Sequence, residues 1–352
     1  MNKFVVKINN LVFSDFEMVS VKKSMEHLSG ATMFSTINFF EQKQKLWDIY
    51  LEQSFSAYIN DELVIKGFVD EIGMSYDSKK SDVTVFGRDN TAILVDCCWD
   101  NSSNEWKKRT ILDIVSYMCS AYGITVSVDS SASSLVARNI LSFKINEGEK
   151  VFDAIKRICI ENSILPLSYG DGKLILTSVS PTRKATDSIE YGNNIESCRA
   201  VHSNINRFNS YKVKGLGQES DFKSLADYLQ PVGTASDSVI SNSYRTFVHL
   251  SDVEIDNGSA INQAKFIRNV HAGKARGVYY KVKDWKQSDG SLWKQNSLVG
   301  VNDPVLKIKK QMLISEVNFL YNKVSGWSTG LVLVPRETFN RSDNPIKVGF
   351  DV

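Results

Sequence analysis

The chain has 352 residues, 42% of them hydrophobic, with 42 Lys plus Arg against 40 Asp plus Glu. That length fits two or three domains of ordinary globular composition, able to hold their cores without metal or disulfide. The net charge of +2 argues against a dedicated nucleic-acid binder, no run approaches the ~18 apolar residues of a membrane span, and the opening MNKFVVKINN has no apolar stretch of signal-peptide length.

The first 95 residues read as short strands. Phe4–Ile8, Met18–Val21 and Met33–Phe39 come first. Phe55–Ile59 and Leu63–Ile65 flank Asn60-Asp61, a hairpin signal, and Val83–Phe86 closes the set. Many short strands separated by turn residues suggest a small barrel or sandwich. The period then changes. Thr110 can cap a helix whose Ile111, Val115, Met118 and Tyr122 share a face, with Gly123 at its C-terminal end. After Gly148, the residues Val151, Phe152, Ile155, Ile158 and Cys159 form one apolar stripe. Leu165–Tyr169, the turn Gly170-Asp171-Gly172 and Leu174–Thr177 make a hairpin. Residues 96–180 are therefore expected to be a small α+β module.

Strand character returns over 188–213. Residues 214–278 are rich in Ser, Asp and Gly and carry two helix candidates. One holds Phe222, Leu225, Ala226 and Leu229; the other, capped by Ser259, holds Ile261, Ala264, Ile267 and Val270. Strands resume at Val278. The expected division is a first β-barrel domain at 1–95, the α+β domain at 96–180, a second β-barrel domain at 181–213 and 279–352, and an inserted domain at 214–278.

Charge is uneven along the chain. Residues 1–100 hold ten Lys/Arg against fifteen Asp/Glu, and residues 262–312 hold eleven against three. Either these are two solvated faces, or an acidic module meets a basic one in the same chain or a neighbouring copy. Two distant segments also echo each other. Val69–Asp77 and Val83–Asp89 read like Ile314–Asn322 and Leu331–Glu337, with Glu71 matching Glu316, Tyr76 matching Tyr321 and Arg88 matching Arg336. Such a repeat suggests two copies of one β-domain.

Motifs for chemistry are absent. His27, His202, His249 and His271 have no metal-ligand spacing, and neither HExxH nor CxxC occurs. Gly215-Leu216-Gly217 lacks the third glycine of a dinucleotide loop, and no serine elbow is present. Asp70 and Glu71, adjacent in a strand, are expected on opposite faces and so cannot flank one glycosidic bond. The five cysteines are read as free thiols from a reducing compartment. Trp285, Trp293 and Trp327 are read as core residues. No catalytic, cofactor-binding or metal residue emerges, and the chain is not expected to be an enzyme.

Several stretches carry a resemblance. Gly67–Asp70 followed by Phe86-Gly-Arg-Asp-Asn-Thr-Ala-Ile-Leu-Val-Asp96 resembles the GRD…LVD signature of the baseplate hub proteins of Mu-like contractile-tailed phages. Gly148–Ile155, Gly170–Leu176, Tyr191–Ile195 and Tyr211–Gly215 are similar to later parts of that family. So are Trp285, Gly290–Asn296, Val299, Val301–Asp303, Met312–Val317 and Thr329–Leu333. These stretches cover about residues 60 to 340; the first ~60 residues match in strand character alone. The family is related to the hub half of type VI secretion spike proteins.

The resemblance implies a mainly β fold with α+β parts. Two related β-barrel domains, a small α/β domain and an inserted domain would assemble as a homotrimeric ring of pseudo-six-fold symmetry. It implies a structural role in the virion, at the tail baseplate, with assembly in the host cytoplasm. The implied partners are the tail tube protein or a tube-initiating ring, a separate central spike protein, baseplate wedge proteins, and a tape-measure protein in the lumen. Neither sequence-specific nucleic acid nor membrane insertion is implied. The competing reading is a carbohydrate-binding or cell-wall-degrading tail protein, whose tryptophans would stack on sugars.

Overall fold

Period-two alternation builds the N-terminal region. A computed structural model describes residues 2–9, 11–28, 30–37, 49–78, 81–180, 182–216 and 231–341. In β1 (Phe4–Ile8), Phe4, Val6 and Ile8 are buried. There follow β2 (Leu11–Phe13), β3 (Met18–Ser24), β4 (Ala31–Ile37), β5 (Ser54–Ile59), β6 (Glu62–Tyr76) and β7 (Ser81–Asp89). Residues 38 and 39 of the expected third strand lie outside the described residues. Asn60 and Asp61 turn the β5–β6 hairpin at φ 48° and 71°, the left-handed pair a two-residue hairpin loop requires.

The α+β unit contains α1 (Ala92–Asp96), β8 (Glu105–Thr110), α2 (Ile111–Ser120), β9 (Val126–Val128), α3 (Ser133–Val136), β10 (Asn139–Lys144), α4 (Val151–Glu161), β11 (Leu165–Leu167) and β12 (Leu174–Thr177). Thr110 Oγ1 accepts from the Asp113 amide, capping α2 as expected. Tyr122 lies beyond the helix, and its hydroxyl donates to the Cys98 carbonyl. Ile114, Met118, Ile155 and Ile158 of α2 and α4 pack into one core with Leu174 and Leu176 of β12.

The remaining elements are β13 (Ile189–Glu190), β14 (Ile195–Ala200), β15 (Ser210–Leu216), β16 (Val232–Ser236), β17 (Thr246–Glu254), α5 (Asn257–Lys274), β18 (Val278–Lys283), β19 (Ser297–Asp303), β20 (Ile308–Asn322) and β21 (Gly326–Pro335). β15 pairs with β16 and β17, not with the large sheet, so the inserted sheet begins at Ser210. The helix expected over 222–229 lies outside the described residues. The cap of α5 is Asp256, whose carboxylate accepts from the Ser259 amide at 2.6 Å, so Ser259 is the third residue of the helix rather than its cap. The buried face is also rotated: Ala260, Gln263, Ala264 and Phe266 point inward while Ile261 is exposed. The cause is backbone contact. A Cβ on Gly233 would stand 2.0 Å from the Ala260 backbone, so α5 lies directly on β16 along its small residues.

Among the described residues, thirteen strands form one mainly antiparallel sheet, ordered β14-β18-β21-β20-β3-β4-β7-β6-β5-β1-β2, with β19 on β20 and β13 on β19. It contains the same five-strand pattern twice. β3-β4-β7-β6-β5 and β14-β18-β21-β20-β19 have the same spatial order, the same chain order and antiparallel neighbours throughout. Each copy has one 15-residue strand, β6 or β20. Each long strand shifts register at an extra residue, between Val69 and Glu71 or between Ile314 and Glu316. Glu71 therefore corresponds to Glu316 and Tyr76 to Tyr321, as the sequence echo suggests. The arginine match fails. Phe86 lies opposite Glu71 and Val332 opposite Glu316, which aligns Arg88 with Val334. Arg336 lies beyond Pro335, the last residue of β21, where the ladder loses an N–H donor.

Lys23 of β3 sits where the two half-sheets and the α+β unit meet, 3.2 Å from the place a Gly170 Cβ would occupy. Burial pushes its ammonium down to about 8, against partial support from Glu62 and Asp89. The folded state thus binds this proton more weakly than the unfolded chain does. The Lys23 contribution to stability should therefore grow by roughly 2–3 kcal/mol as pH climbs from about 8 to about 10.5, while the buried thiols of Cys119 and Cys159, pushed up by burial, work the other way. The difference in urea-unfolding free energy between the unaltered chain and Lys23→Met, taken at the two ends of that window, isolates it.

Candidate assembly interface

The residues that carry the N-terminal signature turn out to form a corner. Arg88 on β7 donates to both Asp70 oxygens, at 2.9 and 3.2 Å, and to both Asp96 oxygens, at 3.0 and 2.7 Å. This fork raises the Arg88 pKa and lowers that of Asp96. The extra residue in β6 is Asp70. Its carboxylate reaches Arg88, on the face that Glu71 shares with Phe86. The bulge thus places Asp70 and Glu71 on one face, contrary to strict alternation. Asp70 is committed to Arg88, so the pair still cannot work as two free carboxyl groups.

The neighbouring Asp89 is buried and joins three segments. It accepts from the amides of Gly30 (2.6 Å) and Thr91 (2.8 Å) and from Ser168 Oγ of the α+β unit (2.9 Å). Burial raises its pKa while these donors hold it down. Gly87 has no alternative: a Cβ there would lie 2.4 Å from the Phe55 ring.

The C-terminal motif is a second corner. Gln295 Nε2 donates to the Ser168 carbonyl at 3.0 Å, and Asn296 Nδ2 to the Ser178 carbonyl at 3.2 Å. Trp285 is fully buried, with its indole donating to the Leu320 carbonyl at 2.8 Å. Trp293 is buried as well, and Trp327 stacks on Tyr321 at 3.9 Å. None of the three offers an open platform for a sugar ring. All five cysteines are free thiols. Among the described residues, no three His, Cys, Asp or Glu side chains converge as a metal site would require. Among those residues, no helix is long and apolar enough to cross a membrane.

What the sheet does present is a joint and its two unfilled counterparts. Beyond the bulge, β20 pairs with β3: Glu316 lies opposite Ser24, Asn318 opposite Lys22 and Leu320 opposite Ser20. Lys22 and Glu316 form an ion pair at 3.0 Å, and Ser20 donates to Asn318 at 2.9 Å. On the other face Val317 and Phe319 are buried. In the first half-sheet, the equivalent stretch of β6, Glu71–Tyr76, has β7 on one side and, among the described residues, no strand on the other. The equivalent of β3 is β14, which among the described residues pairs with β18 alone. The counterparts of Phe319 and Tyr321 are Met74 and Tyr76, 54% and 80% exposed. Beside β14 runs an open groove of about 510 Å³, lined by Ile195, Cys198, Ala200, Val305 and Leu306 among others.

The uneven charge has a partial structural account. Lys274 and Lys294 of the basic stretch pair with Glu26 and Glu62 of the acidic one, at 2.9 and 3.6 Å. Both pairs are partly solvated, so they orient the units more than they stabilise them. Sequence reasoning found the echo but missed the two open edges. The exposed Met74 and Tyr76, in a segment that otherwise alternates, were the signal that could have shown them.

Comparison with known proteins is consistent along the chain. Residues 3–89 match a family described as the Mu phage baseplate assembly protein GpP-like N-terminal domain. Residues 91–178 match the baseplate hub protein gp44-like second domain, and residues 257–342 the fourth domain of the Mu phage baseplate assembly protein GpP. The baseplate hub protein gp44 of Escherichia phage Mu is 28% identical over 345 residues, which is 96% of this chain and 89% of that protein. The 43 kDa tail protein of prophage MuSo2 from Shewanella oneidensis superimposes with a TM-score of 0.83 at 25% identity, over 96% of this chain and 99% of that one. A tail protein from Neisseria meningitidis MC58 gives a TM-score of 0.81 at 17% identity, over 97% and 98%.

The filled and unfilled joints should respond differently to truncation. In the isolated chain at low concentration, Phe319→Ala should cost about 3–5 kcal/mol, as a buried aromatic does. Met74→Ala, at the same place in the other copy, should cost less than about 0.5 kcal/mol. Urea unfolding of the two variants measures both.

Proposed function

Since the chain belongs to the baseplate hub proteins of Mu-like phages, we propose that three copies form a ring that joins the tail tube to the central spike. The observation that carries this reading is the repeated five-strand pattern. A three-chain ring then offers six similar sheet segments, which can meet a six-fold tube at one end and a three-fold spike at the other. The parts are the barrels at 1–95 and at 181–209 with 279–352, the α+β unit at 96–180 and the insertion, which takes in all of β15, at 210–278.

The role is mechanical and involves no catalysis. Partners are the tube or a tube-initiating ring, the spike, the wedge proteins and a tape-measure protein threaded through the lumen. The ring resides in the virion baseplate after assembly in the host cytoplasm. It must survive sheath contraction, so its interfaces belong in the permanent class, above ~2,000 Å².

Light scattering should give a mass near three times the 39.5 kDa of one chain. A protein that stays monomeric at high concentration would contradict the ring. A cell-wall digestion assay on the same sample should show no clearing; clearing would favour the degrading reading instead.

A further inference from the structure

The joint between β20 and β3 specifies what the two open edges need. We infer that Met74–Tyr76, on the open edge of β6 in one copy, pairs antiparallel with Cys198–Ala200 of β14 in a second copy of this chain, seating Met74 and Tyr76 in the groove beside β14. This rests on the ring reading and deepens it by naming the contact and its register.

The register follows from strand pairings already described. Ser20 lies opposite Met33, which lies opposite Phe86. Arg199 lies opposite Tyr279, which lies opposite Val332. Phe86 and Val332 are equivalent, so Ser20 corresponds to Arg199. Carrying the β20–β3 register across places Ser75 opposite Arg199, Met74 opposite Ala200 and Tyr76 opposite Cys198. On the groove side, Met74 and Tyr76 then take the positions that Phe319 and Tyr321 hold over Val21 and Val19. Both side chains leave water, which favours the contact. Backbone N–H and C=O groups along both edges gain partners.

The opposite face supplies charge complementarity. Arg199 is exposed, and Ser75 is small and lies opposite Asp82. Asp82 Oδ1 is buried with no hydrogen-bond partner. An arginine extended over Ser75 from the neighbouring copy meets that oxygen, as Lys22 meets Glu316 within the chain. The edges differ from each other, so the contact is head-to-tail, the kind that closes into rings.

The register makes Tyr76→Cys a direct probe, because it brings an introduced thiol to the native Cys198 of the neighbour. Burial pushes the Cys198 thiol up to about 11, so the exposed introduced cysteine supplies the thiolate. Under mild oxidation the variant should yield covalent dimers and trimers on non-reducing gels, and Cys198→Ser in the same chain should remove them. Met74→Cys, two residues away and opposite Ala200 in this register, should give far less. Light scattering on the same samples separates the two ideas. A trimer that fails to cross-link, or that links through Met74→Cys instead, overturns the register and leaves the ring standing. A monomer with no cross-link overturns both.

Discussion

A β-strand edge is a row of donors and acceptors that must be covered or defended. This chain does both. It covers one edge of β20 with β3, and by that pairing fuses two half-sheets over one continuous core containing Val21, Phe34, Val317 and Phe319. Among the described residues, the matching edges on β6 and β14 have no strand beside them. They are short, twisted by a bulge on one side, and set with Glu71, Glu196 and Arg199. Those are the usual guards against promiscuous pairing, and they still permit one complementary partner.

The bulge is what allows one strand to serve two neighbours. Before Ser315, β20 pairs with β19 on its outer side; after it, the same side meets β3. The extra residue bends the strand away from the first partner and toward the second. Asp70 does the same in β6, and Arg88 fixes the bend by gripping its carboxylate. The GRD signature is thus a structural corner. Its arginine holds the bulge and α1, its aspartate ties the half-sheet to Ser168, and its glycine clears the Phe55 ring.

Much of this was legible in the residues. Alternation located β1, β5 and β7, Thr110 marked a helix start, and the echo between Tyr76 and Tyr321 pointed to the duplication. The failures have physical causes. Asp256 and Ser259 are both good capping residues three positions apart, and only the backbone contact of Gly233 with Ala260 decides which face of α5 turns inward. Asp70 and Glu71 escape alternation because a bulge leaves no mark in composition. Arg336 resembles Arg88 only in sequence, since turn length and Pro335 set where each ladder ends. The open edges were hidden for a different reason. An unpaired strand has the same side-chain pattern as a paired one, and only the full ladder shows that no strand stands beside it among the described residues.

The duplication is also unequal in a way that suits an adaptor. In the first copy residues 25–30 link β3 to β4; in the second, residues 201–277 link β14 to β18. The insertion therefore sits in a hairpin connection, where added chain costs little closure entropy and leaves the ladder intact. Its own sheet is held by a fully buried Arg207–Asp237 pair at 2.6 Å and by α5 over a small core of Val213, Ala235, Ile255 and Ala264, while Phe266 on α5 anchors it to Leu165 and Leu313 of the rest of the chain. In the proposed ring the sheet pattern occurs six times but the insertion only three. Six-fold likeness is then a property of the sheet, and three-fold character is added by what hangs from it. One duplicated strand pattern with one enlarged turn is sufficient to encode both symmetries.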